Sequence, residues 1–238
     1  MLARVKDVRE NASGHGPRRS PGRPPVPLDR IVGTALELVE EGGAEALSMR
    51  SLAQRLDSGT ATLYRRFANR SEMIAHVVDH VFGEMPLEAE AFTGLSWQEA
   101  SRTLARNMFD ALGRHRGLAP LLLEQVPIGP NVMAQRERWL AVLLDGGFPP
   151  ELAARTFATL ARYVLGFAIQ LQPHRGAHED DAQLAAAFHG KDPSRFPATI
   201  AVADSLPVPL EVEFAFGLEL IVDGLVALRE RTARRRGR

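Results

Sequence analysis

The chain contains no cysteine, which excludes disulfides, thiolate metal sites and cysteine nucleophiles. It also lacks an excess of either charge: 29 basic and 29 acidic residues give a formal net charge of zero. Attraction to a polyanion must therefore come from local clusters, not from the molecule as a whole. Long apolar runs are missing too. The longest, residues 157–171, is interrupted by Arg162 and falls short of the ~20 residues that span a bilayer. The N-terminus carries no apolar segment of the secretory kind, which points to the cytoplasm. Neither an alternating β pattern nor an internal repeat is found. What is present is an ordinary globular composition, 45% hydrophobic and 24% charged over 238 residues, enough for one or two domains with a substantial core.

Periodicity predicts an all-α fold. Residues 1–27 form a polar arm rich in Gly, Pro and Arg, with too little apolar surface to fold alone. A helix is expected over 28–41, with Asp29 near its positive end, Ile31, Ala35, Leu38 and Val39 as its inner stripe, and Gly42-Gly43 as its stop. Two short helices follow. In the first, Leu52, Ala53 and Leu56 share a face and Ser48 can cap the start. Asp57, Ser58 and Gly59 make a tight turn, with Gly59 supplying the backbone freedom. In the second, Leu63 and Phe67 turn inward at i, i+4. A fourth helix opens at 69–71, carries Met73, Ile74, Val77, Val78, Val81 and Phe82 inward, and ends at Pro86.

Further helices are expected over 97–112, 117–123, 132–144, 150–171 and 210–229. The cluster Gly146-Gly147-Phe148-Pro149-Pro150 breaks the chain between two of them. Residues 172–209 read as a mobile loop, and 230–238 as a basic, solubilising tail. The expected organisation is an arm (1–27), a helix-turn-helix head (28–75) and a helical ligand-binding and dimerisation domain (76–229).

The second helix of the pair leaves Thr60, Thr62, Tyr64, Arg65 and Arg66 facing outward. Hydroxyls, a phenol and two guanidiniums on one small helix suit the major groove of DNA, where base edges offer donors and acceptors. For each arginine a solvated surface charge is the plainer alternative.

In these residues the chain resembles the tetracycline-repressor (TetR) family of bacterial transcriptional regulators. The resemblance lies in Leu47-Ser48-Met49-Arg50-Ser51-Leu52-Ala53, Thr62-Leu63-Tyr64-Arg65-Arg66-Phe67 and Asn69-Arg70-Ser71-Glu72-Met73-Ile74. The later segments Ser96-Trp97-Gln98 and Phe216-Gly217-Leu218-Glu219-Leu220-Ile221 resemble the tetracycline-binding branch. The resemblance implies a homodimer on a palindromic double-stranded operator and a C-terminal domain that binds a small-molecule effector. Thr60, Thr62 and Tyr64 are then expected at base edges or phosphates, Arg65 and Arg66 at guanine or phosphate, and Ser48, Arg50 and Arg70 on the backbone.

In the tetracycline-binding branch, polar side chains hold the drug and a histidine holds its magnesium. Alignment on Trp97 and Gly147-Phe148 puts Leu104, Met108, Leu122 or Leu123, and Trp139 there instead. The expectation is a pocket for a largely hydrophobic molecule, lined by Leu104, Met108, Leu112, Leu122, Trp139, Leu143 and Phe167, and needing no metal or other cofactor. His115, Arg162 and Gln170 are its candidate polar anchors. The alternative for each is a place in a filled core.

Other features are less specific. Arg18, Arg19 and Arg23 lie in a Gly-Arg-Pro context that resembles a minor-groove AT-hook, or simply adds phosphate attraction. His174, His178, Glu179, Asp180, Asp181 and His189 read as a solvated loop, not a metal site. Gly166, Gly217, Ile221 and Gly224 fit a close helix–helix interface between subunits, or internal packing. No nucleophile–base arrangement or phosphate-binding loop can be placed, so an enzyme is not expected. Two rivals remain: a helical small-molecule-binding or enzymatic protein with vestigial DNA contacts, and an architectural DNA binder without an effector.

Overall fold

The computed structural model describes residues 26–86, 92–124, 127–171 and 177–236, and every regular element among them is helical. The first helix, α1 (Leu28–Gly42), has Asp29 in its first turn and buries Ile31, Val32, Ala35, Leu36, Leu38 and Val39. A 3-10 turn at Ala44–Ala46 leads into α2 (Met49–Arg55). Ser48 and Ser51 cap α2 reciprocally: Ser51 N donates to Ser48 Oγ at 3.0 Å, and Ser48 N to Ser51 Oγ at 2.9 Å.

The turn after α2 closes differently from expectation. Ser58 N donates to Ala53 O at 2.9 Å and Asp57 N to Gln54 O at 3.1 Å, with Asp57 at φ 50°. The left-handed residue is thus Asp57, a side chain short and polar enough to tolerate that region. Gly59 is extended and stands at the N-cap of α3 (Thr60–Tyr64). Leu63 and Phe67 are buried as expected.

Asn69 caps α4 (Arg70–Gly83), accepting from Glu72 N at 2.9 Å. This helix serves two cores. It packs on α1 and also on α5 (Trp97–Arg114), α6 (Leu118–Glu124) and α7 (Pro130–Asp145). Ser96 and Glu99 form a capping box at the start of α5. The helix α8 (Pro150–Ala168) continues as a 3-10 turn to Leu171 and packs on α5 and α7. The stretch Pro150–Leu171 is long and apolar enough to cross a membrane by length and composition, which the break at Arg162 had hidden in sequence.

Residues 172–209 are not simply a loop. They include α9 (Ala177–His189) and the short α10 (Pro197–Ala201). Periodicity within this segment is confined to residues 184–188, too short to outweigh its prolines and scattered charges, but Ala182, Gln183, Leu184 and Ala185–Ala187 favour a helix by intrinsic propensity. The last helix, α11 (Leu210–Arg236), lies on α5 and α8 and runs through most of the segment read as a tail. Arg229, just before that segment, donates to Gly146 O at 2.7 Å and covers the Trp97 ring at 5.8 Å.

Gly117 sets how closely the head meets the body. It has φ +91°, and a Cβ added there would lie 2.9 Å from Val39 O of α1. Gly117→Ala should therefore cost about 1–3 kcal/mol through backbone strain and contact. The expected readout is a lower thermal midpoint by circular dichroism with unchanged helical content.

Candidate DNA-binding surface and effector cavity

The short helix α3 presents Thr60, Tyr64, Arg65 and Arg66 to solvent, with Tyr64 55% exposed and Thr62 half-buried. Arg65 donates to Thr62 Oγ1 at 3.3 Å, holding the two side chains together on this face. Arg50 is exposed on α2. Behind them, Arg55 donates to both carboxylate oxygens of Glu41 at 2.9 and 2.6 Å, and this bond holds the Glu41 carboxyl below its usual range. The outward set is thus brought together on one small surface. Arg18, Arg19 and Arg23 lie outside the described residues.

Two expected backbone clamps are engaged within the protein. The Ser48 hydroxyl accepts the cap bond of α2. Arg70 is bonded three ways within the protein: Nε donates to Leu47 O at 2.8 Å, one terminal nitrogen to Ala44 O at 3.2 Å, and the other to Glu124 at 2.5 Å. Its guanidinium joins the start of α4, the approach to α2 and the end of α6.

Other joints link head and body. Asp79 of α4 accepts from Asn131 N at 2.9 Å and Val132 N at 3.0 Å, so a carboxylate from one helix caps the positive end of another, α7. Gln135 returns the favour, donating to Phe82 O and Met85 O at 3.3 and 3.1 Å. His115, expected at the effector, instead lies 2.9 Å from Glu84 and 3.4 Å from Glu40, between α1 and the end of α4.

An apolar cavity of about 230 Å³ opens among α4, α5, α6, α7 and α8. Of the residues expected there, Leu104, Met108, Leu122, Trp139 and Arg162 line it. Leu112 and Leu143 are buried elsewhere in the core. Phe167 packs with Tyr163 and Phe214, at 4.9 and 5.6 Å between ring centroids. Gln170 is exposed and donates to Gly166 O at 3.3 Å, while Leu123 is 65% exposed. The sequence reading missed Phe82 of α4 and Met85 just beyond it, Gln135 and Arg136 of α7, and Phe157 and Leu165 of α8. Phe82 and Met85 had one available signal: they end an apolar helix just before a proline.

Around α8 and α11 the four residues expected at a subunit interface divide. Gly217 is filled from within, since a Cβ there would meet the Tyr163 hydroxyl, which donates to Phe214 O at 2.7 Å. Burial pushes the Tyr163 phenol above its usual range, with Glu213 adding to the shift, so it stays a donor. Gly166 and Gly224 meet nothing within 4 Å, and Ile221 is half-buried in a groove with Leu225 and Leu152. Val212, Phe216, Leu220 and Leu228 are exposed in the same four-residue row as Gly224. Of the residues weighed as a metal site, His174 lies outside the described residues and His189 Nε2 is 3.5 Å from Asp204. No cluster of three or more ligating side chains occurs among the described residues.

Residues 31–77 match the family described as bacterial regulatory proteins, tetR family, and residues 92–229 match the tetracyclin repressor-like C-terminal domain. The transcriptional repressor DrrR1 of Streptomyces coeruleorubidus is 30% identical, covering 94% of this chain and 85% of its own. The tetracycline repressor of class E from Escherichia coli is 28% identical over 61% of this chain and 68% of its own. The crystal structure of apo ActR from Streptomyces coelicolor superposes with a TM-score of 0.76 at 32% identity, covering 89% of this chain and all of that one (100%). Another structure of ActR contains actinorhodin. With its helix-turn-helix surface, its cavity and these matches over both halves, the chain belongs to the tetR family of bacterial regulatory proteins and is a ligand-responsive, DNA-binding transcriptional regulator.

Proposed function

We propose that this regulator is a cytoplasmic repressor that grips a palindromic operator as a homodimer and lets go when a largely apolar small molecule fills the cavity. The observation that carries this reading is the position of α4. Its N-terminal end holds the head through Arg70, and Phe82 and Met85 at its other end form part of the cavity wall. A helix of 14 residues is about 21 Å long, a rigid link between the two. A ligand that binds better when α4 is displaced favours that arrangement in proportion to its preference. Operator and effector then weaken each other's binding reciprocally. DNA is contacted by Thr60, Thr62, Tyr64, Arg65, Arg66 and Arg50, with the arm carrying Arg18, Arg19 and Arg23 adding phosphate or minor-groove contacts.

Dimerisation uses the row Val212, Phe216, Leu220 and Leu228 on α11, together with Gly166, Ile221 and Gly224. An apolar row on the outside of a helix is costly in water and is covered most simply by its own copy across a two-fold axis. The apolar outer side of α8 is accounted for in the same way, without a membrane. No catalytic step is part of this reading. ActR, whose structures contain actinorhodin and (S)-DNPA, is a relative whose ligands support a small-molecule effector here.

The operator can be recovered by selecting genomic fragments on the full-length protein. Tyr64→Ala and Arg66→Ala should each weaken it about tenfold or more, and Arg66→Ala should reduce the slope of log affinity against log salt by about 1. Arg70→Ala should leave that slope unchanged and lower the thermal midpoint, since its bonds are internal; a salt slope reduced as in Arg66→Ala would contradict this assignment. Phe216→Glu combined with Leu220→Arg should give a folded monomer by sedimentation at micromolar concentration. With half-sites about 34–36 Å apart no longer bridged, operator affinity should fall by roughly 100-fold.

A further inference from the structure

Among the described residues the charged groups of the cavity wall are of one sign. Gln135, Arg136, Trp139 and Arg162 are the described lining side chains with polar atoms, and no described aspartate or glutamate lines the space. Gln135 spends its amide nitrogen on the Phe82 and Met85 carbonyls. Trp139 Nε1 is buried with no acceptor, and so is Arg136 Nε. The guanidinium of Arg136 makes a weak contact with Met133 Sδ at 3.3 Å and lies 5.6 Å from the Phe157 ring centre. Neither Arg136 nor Arg162 meets a described carboxylate. Arg55, Arg70, Arg102 and Arg155 all do.

A buried N–H donor without an acceptor is unfavourable, and the two guanidiniums of the wall, Arg136 half-buried and Arg162 exposed to solvent, have no described counter-charge. Both are relieved by one kind of guest. We infer that the effector is an aromatic acid whose carboxylate is taken by Arg136 and Trp139 of α7 and Arg162 of α8, an inference that rests on the cavity being the effector site. Arg136 and Trp139 are three residues apart on one helix face, so their donors converge from one side. The aromatic part follows from the rest of the wall. Phe157 stands edge-on to Trp139 at 5.9 Å, and Met85 and Met108 offer thioethers that pack well on ring faces. A cationic guest of the same shape would meet two like charges, on the half-buried Arg136 and the exposed Arg162.

The test is calorimetric titration of the full-length protein with three probes of one shape: 2-naphthoate, its uncharged amide 2-naphthamide, and the cation 2-naphthylmethylammonium. The acid should bind at least about tenfold more tightly than the amide, and the cation most weakly. In Arg136→Met/Arg162→Met, with folding checked by circular dichroism, the advantage of the acid over the amide should shrink to within about threefold. Amide or cation binding as tightly as acid, or an acid preference that survives the double variant, would overturn the inference. Met108→Trp, which fills the cavity, should abolish binding of all three. If no probe binds, or if binding survives Met108→Trp, the effector-site reading falls and takes the inference with it. If the acid is preferred yet leaves the operator bound, the charge preference stands and the switching reading fails.

Discussion

Asp79 is the residue on which the two halves of the molecule depend. The first backbone N–H groups of α7 have no partners inside their own helix, and the cluster Gly129-Pro130 offers no side chain to satisfy them. Asp79 reaches across from α4 and takes two of them with a carboxylate, where the helix dipole favours negative charge. A Cβ at position 129 would collide with this side chain, so the glycine is part of the same joint. Gln135, one turn further along α7, closes the other side by holding the last carbonyls of α4. These bonds fasten α4 to α7, and the same two helices share a wall of the cavity.

Arginine is used in two ways in this neutral chain. At Arg50, and at Arg65 and Arg66 just after α3, the guanidiniums are exposed to solvent and pair with no carboxylate among the described residues, and so remain available to phosphates and base edges. Arg70 and Arg102 are spent inside, the first between α4 and α6 and the second between α5 and Glu219 of α11. Zero net charge is thus compatible with DNA binding, because the acids are paired away from the reading surface. Arg162 is exposed and Arg136 half-buried, and both lie on the apolar wall of the cavity, which gives that wall its sign.

The aromatic cluster of Phe109, Tyr163, Phe167 and Phe214 is the counterpart of this joint on the far side. Phe109 and Phe214 stack at 4.1 Å, fastening α11 to α5 and α8 from within. Gly217 makes room for Tyr163 there. Fastened on its inner side, α11 turns a second apolar row outward, so one helix can close the core and meet a partner copy.

What the sequence by itself determined was local. Apolar residues three and four apart, serine and asparagine caps, and proline and glycine breaks depend on neighbours within a turn or two. Hence α1 to α8 and the outward set of α3 were legible from the residues alone. The left-handed Asp57 was not, because three turn-forming residues in succession leave the choice to the closure of α2. Tertiary structure decided which side chains had long-range partners. His115 and Arg70 carry the same chemistry wherever they lie, and only the packing of α4 shows that they serve the joint. Phe167 and Leu112 are as apolar as Leu104, yet they fill the core while Leu104 borders a space. A cavity is where chains distant in sequence fail to meet, so no local pattern records it.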